Sequence, residues 1–294
     1  MFDQIFGKYL VSSGKITQEQ LTDVIEYEEN VRSKLGLMAV AEKIMTQSQC
    51  DEVNSIQAVE DKRFGDIAIE KGYITKEQVE QLLKKQSDIY MLFCQTMMDK
   101  GYLTLEEIDE ALADYQKKEG FTQSEMDDLV SGDFDRTVKI FLPVNSSFHA
   151  KLCGIMIRTL SRLISRSAYV EKAKRSNSLK ASNFALQRLF GDRSVVAGFA
   201  GDDMSLLTIA NPFAQENFDT VDMDALDAVG EFTNCINGLF ATDLSHQDIE
   251  VDMLPPEYFD QPVTVTGDFY DFPLFINNQE VHFILAVDSE LKIE

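Results

Sequence analysis

Residues 222–241, DMDALDAVGEFTNCINGLFA, decide how the second half of the chain is read. At about 100° per residue, Leu226, Val229, Thr233, Ile236 and Phe240 fall on one stripe. Their spacing of three, four, three, four marks the buried face of a helix. Asp227, Glu231, Asn234 and Gly238 make a second stripe, roughly 160° away. Glu231 and Asn234, three residues apart, are neighbours on that surface. Gly238 has no side chain, so another protein's backbone could come close there. The bland alternative for this second stripe is an ordinary solvated face.

Around this helix the hydrophobic period shortens to that of strands. Residues 184–190 and 194–199 flank Gly191-Asp192, a hairpin turn. Residues 205–210 read as a strand stopped by Asn211-Pro212. Residues 263–266 alternate, and 273–276 pair with 281–287 across Asn277-Asn278. Residues 136–142 read as a strand ending at Pro143. A long helix follows over 145–167, with Arg158, Arg162 and Arg166 on every fourth residue, and then a polar loop over 171–183. The expectation is an α/β domain over 136–294 with a largely antiparallel sheet and two long helices. A glycine-rich phosphate loop, a G-x-S-x-G elbow and zinc-ligand spacing are all missing from the sequence.

Residues 1–131 read as a helical-hairpin repeat array. Thr17, Thr46, Thr75 and Thr104 recur every 29 residues, and Thr122 follows at a shorter interval. Gln20, Gln49, Gln78, Glu107 and Glu125 stand three residues after each Thr. A Thr hydroxyl and a Gln or Glu at that distance satisfy free N–H groups of a first helical turn reciprocally. Ile16, Met45, Ile74, Leu103 and Phe121 precede the caps. Leu21, Cys50, Val79, Ile108 and Met126 lie four residues after them, so each cap carries a hydrophobic staple. Gly14, Gly72 and Gly101 stand where a preceding helix needs a left-handed residue to end. Lys43 occupies that place in the second unit. Each unit is helix, tight turn, capped helix, and such short helices must stack on neighbouring units. Residues 127–136, DDLVSGDFDR, read as a linker.

The formal net charge of −23 argues against nucleic acid and anionic membranes as partners, since both need a basic footprint. No apolar run approaches the length of a membrane span. Cys50, Cys94, Cys153 and Cys235 are scattered and read as reduced core cysteines of a cytoplasmic protein. His149, His246 and His282 lie too far apart for a metal site, and no metal is expected.

Two resemblances add to this. Asp227-x-x-x-Glu231-x-x-Asn234, with Gly238 and the later Pro255-Pro256, resembles the CheC/CheX family of chemotaxis phosphatases over roughly residues 136–290. The 145–167 segment has no second Glu-x-x-Asn, so the chain is CheX-like, with one site. The resemblance implies hydrolysis of the phosphoaspartate of a CheY-like response regulator. It assigns Glu231 and Asn234 to catalysis and Asp227 and Gly238 to docking, and it implies a homodimer through this domain. It also implies no cofactor bound by this chain, with Mg²⁺ supplied by the regulator. The repeat units look like the N-terminal domain of type II secretion and type IV pilus assembly ATPases. There, paired motifs open with Arg-Leu-Gly, close with Gln and can bind cyclic di-GMP. Lys34-Leu35-Gly36 to Gln57 and Arg63-Phe64-Gly65 to Gln86, with residues 58–62 between, follow that pattern. Lys34, Gly36, Gln57, Arg63, Gly65 and Gln86 are the nucleotide-binding candidates it implies. Ile5 and Leu92 replace the arginine in the outer units.

The residue types suit the implied chemistry. An Asn amide donates and accepts at once and carries no charge to repel a phosphoryl group. A carboxylate cannot approach phosphoryl oxygens but can pair with the regulator's lysine. Three classes stay open: a phosphatase resting on Glu231 and Asn234, a binding module that docks a regulator without hydrolysis, and a nucleotide-responsive scaffold.

Overall fold

All five threonines cap a helix. The backbone N–H of Thr17 donates to Gln20 Oε1 over 2.8 Å, and the N–H of Gln20 donates back to Thr17 Oγ1 over 3.2 Å. Thr46, Thr75, Thr104 and Thr122 repeat the exchange with Gln49, Gln78, Glu107 and Glu125. This computed structural model describes residues 1–31, 35–57, 59–85 and 89–294. The chain divides into two compact units, Phe2–Gly132 and Asp133–Glu294.

The first unit contains α1 (Phe2–Ser12), α2 (Gln18–Val31), α3 (Leu35–Ala41), α4 (Gln47–Gln57), α5 (Phe64–Glu70), α6 (Lys76–Lys85), α7 (Ile89–Asp99), α8 (Leu105–Glu119) and α9 (Gln123–Val130). Gly14, Gly72 and Gly101 have φ of 70°, 71° and 68°, and Lys43 adopts the same left-handed conformation with φ 59°. The staple residues are buried at every cap. Gly7, Gly36 and Gly65 answer to packing. A Cβ on them would meet Leu21, Cys50 and Val79 in turn, always the fourth residue after the capping Thr.

The hairpins do not pack in chain order. α1 and α2 pack on α7 and α8, where Phe2, Phe6, Tyr9, Phe93, Tyr115 and Phe121 share an aromatic core. α3 and α4 pack on α5 and α6 around Ala39, Met45, Val53, Ile67, Ile74, Val79 and Leu82. The first hairpin therefore meets the fourth, and the second meets the third.

The second unit holds α10 (Phe134–Phe141), α11 (Ser147–Leu163), β1 (Tyr169–Val170), β2 (Lys174–Ala181), β3 (Asn183–Gly191), β4 (Val195–Gly201), α12 (Asp203–Ala214), α13 (Met223–Ser245), β5 (Val251–Met253), β6 (Glu257–Phe259), β7 (Val263–Ile276), β8 (Gln279–Val287) and β9 (Leu291–Ile293). The sheet runs β1-β7-β8-β4-β3-β5, with β2 and β9 also on β7 and β6 on β3. Its pairings are antiparallel. Asn277 and Asn278 turn β7 into β8 with φ of 50° and 63°, the two left-handed positions of a tight hairpin.

α12 and α13 cover one face of the sheet, and α11 packs against α13. Phe199, Phe232 and Phe283 meet between α13 and the strands. The alternate residues of β3, β4 and β8, including Phe184, Leu186, Val196 and Ile284, form a second core with Val263, Val265, Phe269 and Leu291. That core belongs to the sheet's other face, which strands β2, β7 and β9 help to close.

Several expectations are corrected. Of residues 136–142, all but Leu142, which ends it, belong to a helix, α10, because Asp133 accepts the N–H groups of Asp135 and Arg136 and caps it. The expected linker therefore shrinks to the few residues between α9 and α10, with Gly132 at φ 68°. Residues 205–210 are helical too. Asp202 caps α12, and Leu206, Ile209 and Ala210 bury an i, i+3, i+4 face, with Pro212 inside the last turn. The 171–183 loop contains β2, an exposed polar strand that backbone bonds to β7 hold with a bulge between Ser176 and Ser178. Arg166 lies beyond the end of α11, so the three arginines do not form one stripe, and Arg158 pairs with Asp135. Cys235 is exposed while the other three cysteines are buried. Among the described residues, no helix is long and apolar enough to cross a membrane.

Candidate functional site

α13 begins at Asp222, whose side chain accepts the N–H of Ala225 over 3.0 Å. Leu226, Val229, Thr233, Ile236 and Phe240 are all 0% exposed, so the apolar stripe is the core face. That burial fixes the helix's rotation and turns the second stripe outward. Asp227 and Glu231 are exposed, and Asn234 and Gly238 are half-buried. Asn234 Nδ2 donates to Glu231 Oε2 over 3.3 Å. Along this face stand Met253 and Leu254, 40% and 41% exposed.

The two glycines of α13 near this face differ. At Gly230 a Cβ would run into the ring of Tyr258 and lie 3.1 Å from Pro256 Cβ, so glycine lets the β5–β6 segment close on the helix. At Gly238 the nearest atom to a Cβ is Met253 Cε at 3.9 Å. Its position is open. Asp227 is exposed, but its Oδ1 accepts the Tyr258 phenol over 2.7 Å. Burial first, and then that bond, hold the Tyr258 phenol above its ordinary pKa. Asp227 thus ties α13 to β6 as well as facing out.

Beneath Asn234 lies Gln187 of β3, 1% exposed. Its Nε2 donates to Asn234 Oδ1 over 2.8 Å and to the Leu254 carbonyl over 2.9 Å. Its Oε1 accepts Asn237 Nδ2 over 2.9 Å. The sequence reading missed Gln187, Asn237 and Tyr258. A polar Gln within the apolar run of β3, and an Asn one turn after Asn234, were the available signals.

Residues 184–264 match the family model of the chemotaxis phosphatase CheX. This CheX-like region takes in β3, β4, α12, α13, β5 and β6, and so all of the site described above. Solved structures similar to the chain include a CheC-like superfamily protein from Shewanella sp. PV-4, with a TM-score of 0.44, 18% identity, and coverage of 49% of this chain and 99% of that one. The chemotaxis protein CheX from Desulfovibrio desulfuricans has a TM-score of 0.42 at 15% identity, covering 48% and 99%. A CheX–CheY–BeF3–Mg complex from Borrelia burgdorferi has a TM-score of 0.34 at 15% identity, covering 50% and 98%. No curated protein matches the chain significantly.

The nucleotide candidates lie outside the CheX-like region. Lys34 and Gln86 fall outside the described residues. Gly36 and Gly65 are buried, and a Cβ there would meet Cys50 with Phe64, and Val79 with Leu35. Arg63 is exposed at the start of α5, and Gln57 Nε2 donates to the Lys62 carbonyl over 2.9 Å.

Proposed function

We propose that this protein hydrolyses the phosphoaspartate of a CheY-like receiver domain, using Glu231 and Asn234. The observation that carries the reading is their pairing, 3.3 Å apart, on the outward face of α13, inside the region that matches a chemotaxis phosphatase family. The partner brings its own magnesium ion and lysine, which neutralise the phosphoryl charge. Glu231 pairs with that lysine and fixes docking. Asn234 reaches the phosphoryl group with a neutral amide and places the water. The water oxygen bonds to phosphorus as the bond to the aspartyl oxygen breaks. The partner's aspartate leaves as a carboxylate, and the proton stays with inorganic phosphate. Asp227 and Gly238 form the rim of the docked surface.

The test is decay of a phosphorylated receiver in the presence of wild type and Asn234→Ala. Faster decay with the wild type alone supports the reading. A folded Asn234→Ala protein as fast as wild type removes it. Tight binding to the phosphorylated receiver without faster decay would make the protein a docking module. A nucleotide role for residues 34–86 rests on the motif alone. Saturable heat with cyclic di-GMP that Arg63→Ala abolishes would establish it, and no heat at near-millimolar ligand would end it.

A further inference from the structure

We infer that Gln187 is a positioning residue that sets which end of the Asn234 amide faces the partner. The inference rests on the phosphatase reading above. It starts from a group whose polarity is fixed. The Leu254 carbonyl can only accept, so the Gln187 atom 2.9 Å from it must be Nε2. The remaining proton of Nε2 points at Asn234, so the Asn234 atom 2.8 Å away must be the acceptor Oδ1. Gln187 Oε1 in turn takes a proton from Asn237 Nδ2. One backbone carbonyl therefore orients three side-chain amides in series, and it leaves Asn234 Nδ2 on the Glu231 side.

Two features make this arrangement rigid. Gln187 is 1% exposed and Asn237 is 0% exposed, so water has little access to the Gln187 end of these bonds. Gln187 also sits mid-strand, paired with Ala197 of β4, between the stretches of β3 that pair with β6 and with β5, and Leu186 and Leu189 on either side are buried. A free asparagine at a surface samples both amide orientations. Here the flipped orientation would set Asn234 Nδ2 against Gln187 Nε2, donor against donor, and Asn234 Oδ1 against the Glu231 carboxylate. Asn234 therefore meets the partner with an N–H donor already in place, and with one oxygen lone pair committed inward. A donor suits the phosphoryl oxygens and the water oxygen alike.

Gln187→Glu tests this at nearly constant volume. Its ionised carboxyl still accepts from Asn237 but cannot donate, so the Asn234 amide turns over. Receiver turnover should fall on the order of ten- to a hundredfold, with affinity for the receiver unchanged. Protonation restores one donor. The activity of the variant relative to wild type should then rise as pH falls, which a merely structural lesion would not do. Gln187→Met, which has no donor at any pH, should lose turnover without that pH-dependent recovery. A folded Gln187→Glu protein with wild-type turnover at all pH values overturns the inference. If both variants fail to fold, exchange of the wild-type carboxamide protons decides. Slow solvent exchange at Gln187 Nε2 supports the inference, and exchange as fast as that of a free carboxamide overturns it. Asn234→Ala separates the two levels. If it loses turnover and Gln187→Glu does not, only the positioning role falls. If Asn234→Ala keeps turnover, the phosphatase reading falls first.

Discussion

Tyr102 donates its phenolic proton to Asp23 Oδ2 over 2.6 Å, joining residues 79 apart in the chain. Tyr73 makes the same bond to Glu52, also at 2.6 Å. Lys100 and Lys71 add ion pairs to these carboxylates, at 2.7 and 3.1 Å. Tyr73 and Tyr102 hold one position of the 29-residue unit, and Glu52 and Asp23 hold another. One interface is thus built twice, once between adjacent hairpins and once between the first hairpin and the fourth.

Nested packing predicts which helices lose protection together. Phe93 of α7 is 0% exposed and packs on Phe6. Phe93→Ala should cost roughly 3–5 kcal/mol locally. Amide exchange should then speed up in α1 and α2, which are distant in sequence, more than in α5 and α6, which are nearer. The reverse order would show that the hairpins stack in chain order.

Lys43 adopts φ 59° where Gly14, Gly72 and Gly101 take almost the same angle. A Cβ at those glycines meets nothing within 4 Å, so the backbone conformation alone favours glycine. Lys43→Gly should raise stability by about 1 kcal/mol, read as a shift in the urea midpoint without a change in slope. A destabilised variant would mean that the lysine side chain outweighs its backbone strain.

The two faces of α13 should fail differently. Leu226→Ala should lower stability by roughly 2–5 kcal/mol, since Leu226 is fully buried. Asn234→Ala should instead lower receiver dephosphorylation by about a hundredfold or more with little loss of binding. Glu231→Ala should weaken binding as well as rate. Denaturation and phosphate release on the same preparations check all three.

His282 of β8 and Asp271 of β7 are diagonal neighbours across the two strands, with His282 Nδ1 2.8 Å from Asp271 Oδ1. The bond to Asp271 raises the His282 pKa, burial opposes it, and the charge of Asp271 and then of Glu280 adds to the rise while Lys174 lowers it. The folded-state value lies above that of the unfolded chain. The pair's stabilisation is therefore complete below about pH 6.5 and is lost as pH rises through the folded-state value. The stability gap between wild type and Asp271→Asn should be larger near pH 5.5 than near pH 8.5, by up to about 1 kcal/mol. An NMR titration of His282 should move to lower pH in the variant. A gap that grows with pH would contradict the assignment.

How much the sequence settled depends on the range of the interactions. The five caps and their staples are contacts between residues at most five apart, so both partners are visible in a short window, and each cap was found at its threonine. The two faces of α13 were equally legible, because helical geometry repeats on the same scale. Short segments were not. Residues 136–142 and 205–210 fit either period, and a single Asp cap before each one tipped them to helix. β2 had no alternation to show, since both its faces are largely polar and β7 alone holds it in place.

The sequence by itself determined the five capped helix starts of the first unit, the core stripe of α13 and the outward pair Glu231 and Asn234. Only the tertiary structure decided that the first hairpin packs on the fourth, and that Gln187, 47 residues before Asn234, lies under its amide. Both depend on long-range pairing, in which a strand or helix meets a partner whose distance along the chain leaves no periodic trace. The orientation of one amide follows from a carbonyl that the sequence does not mark, because every residue carries one.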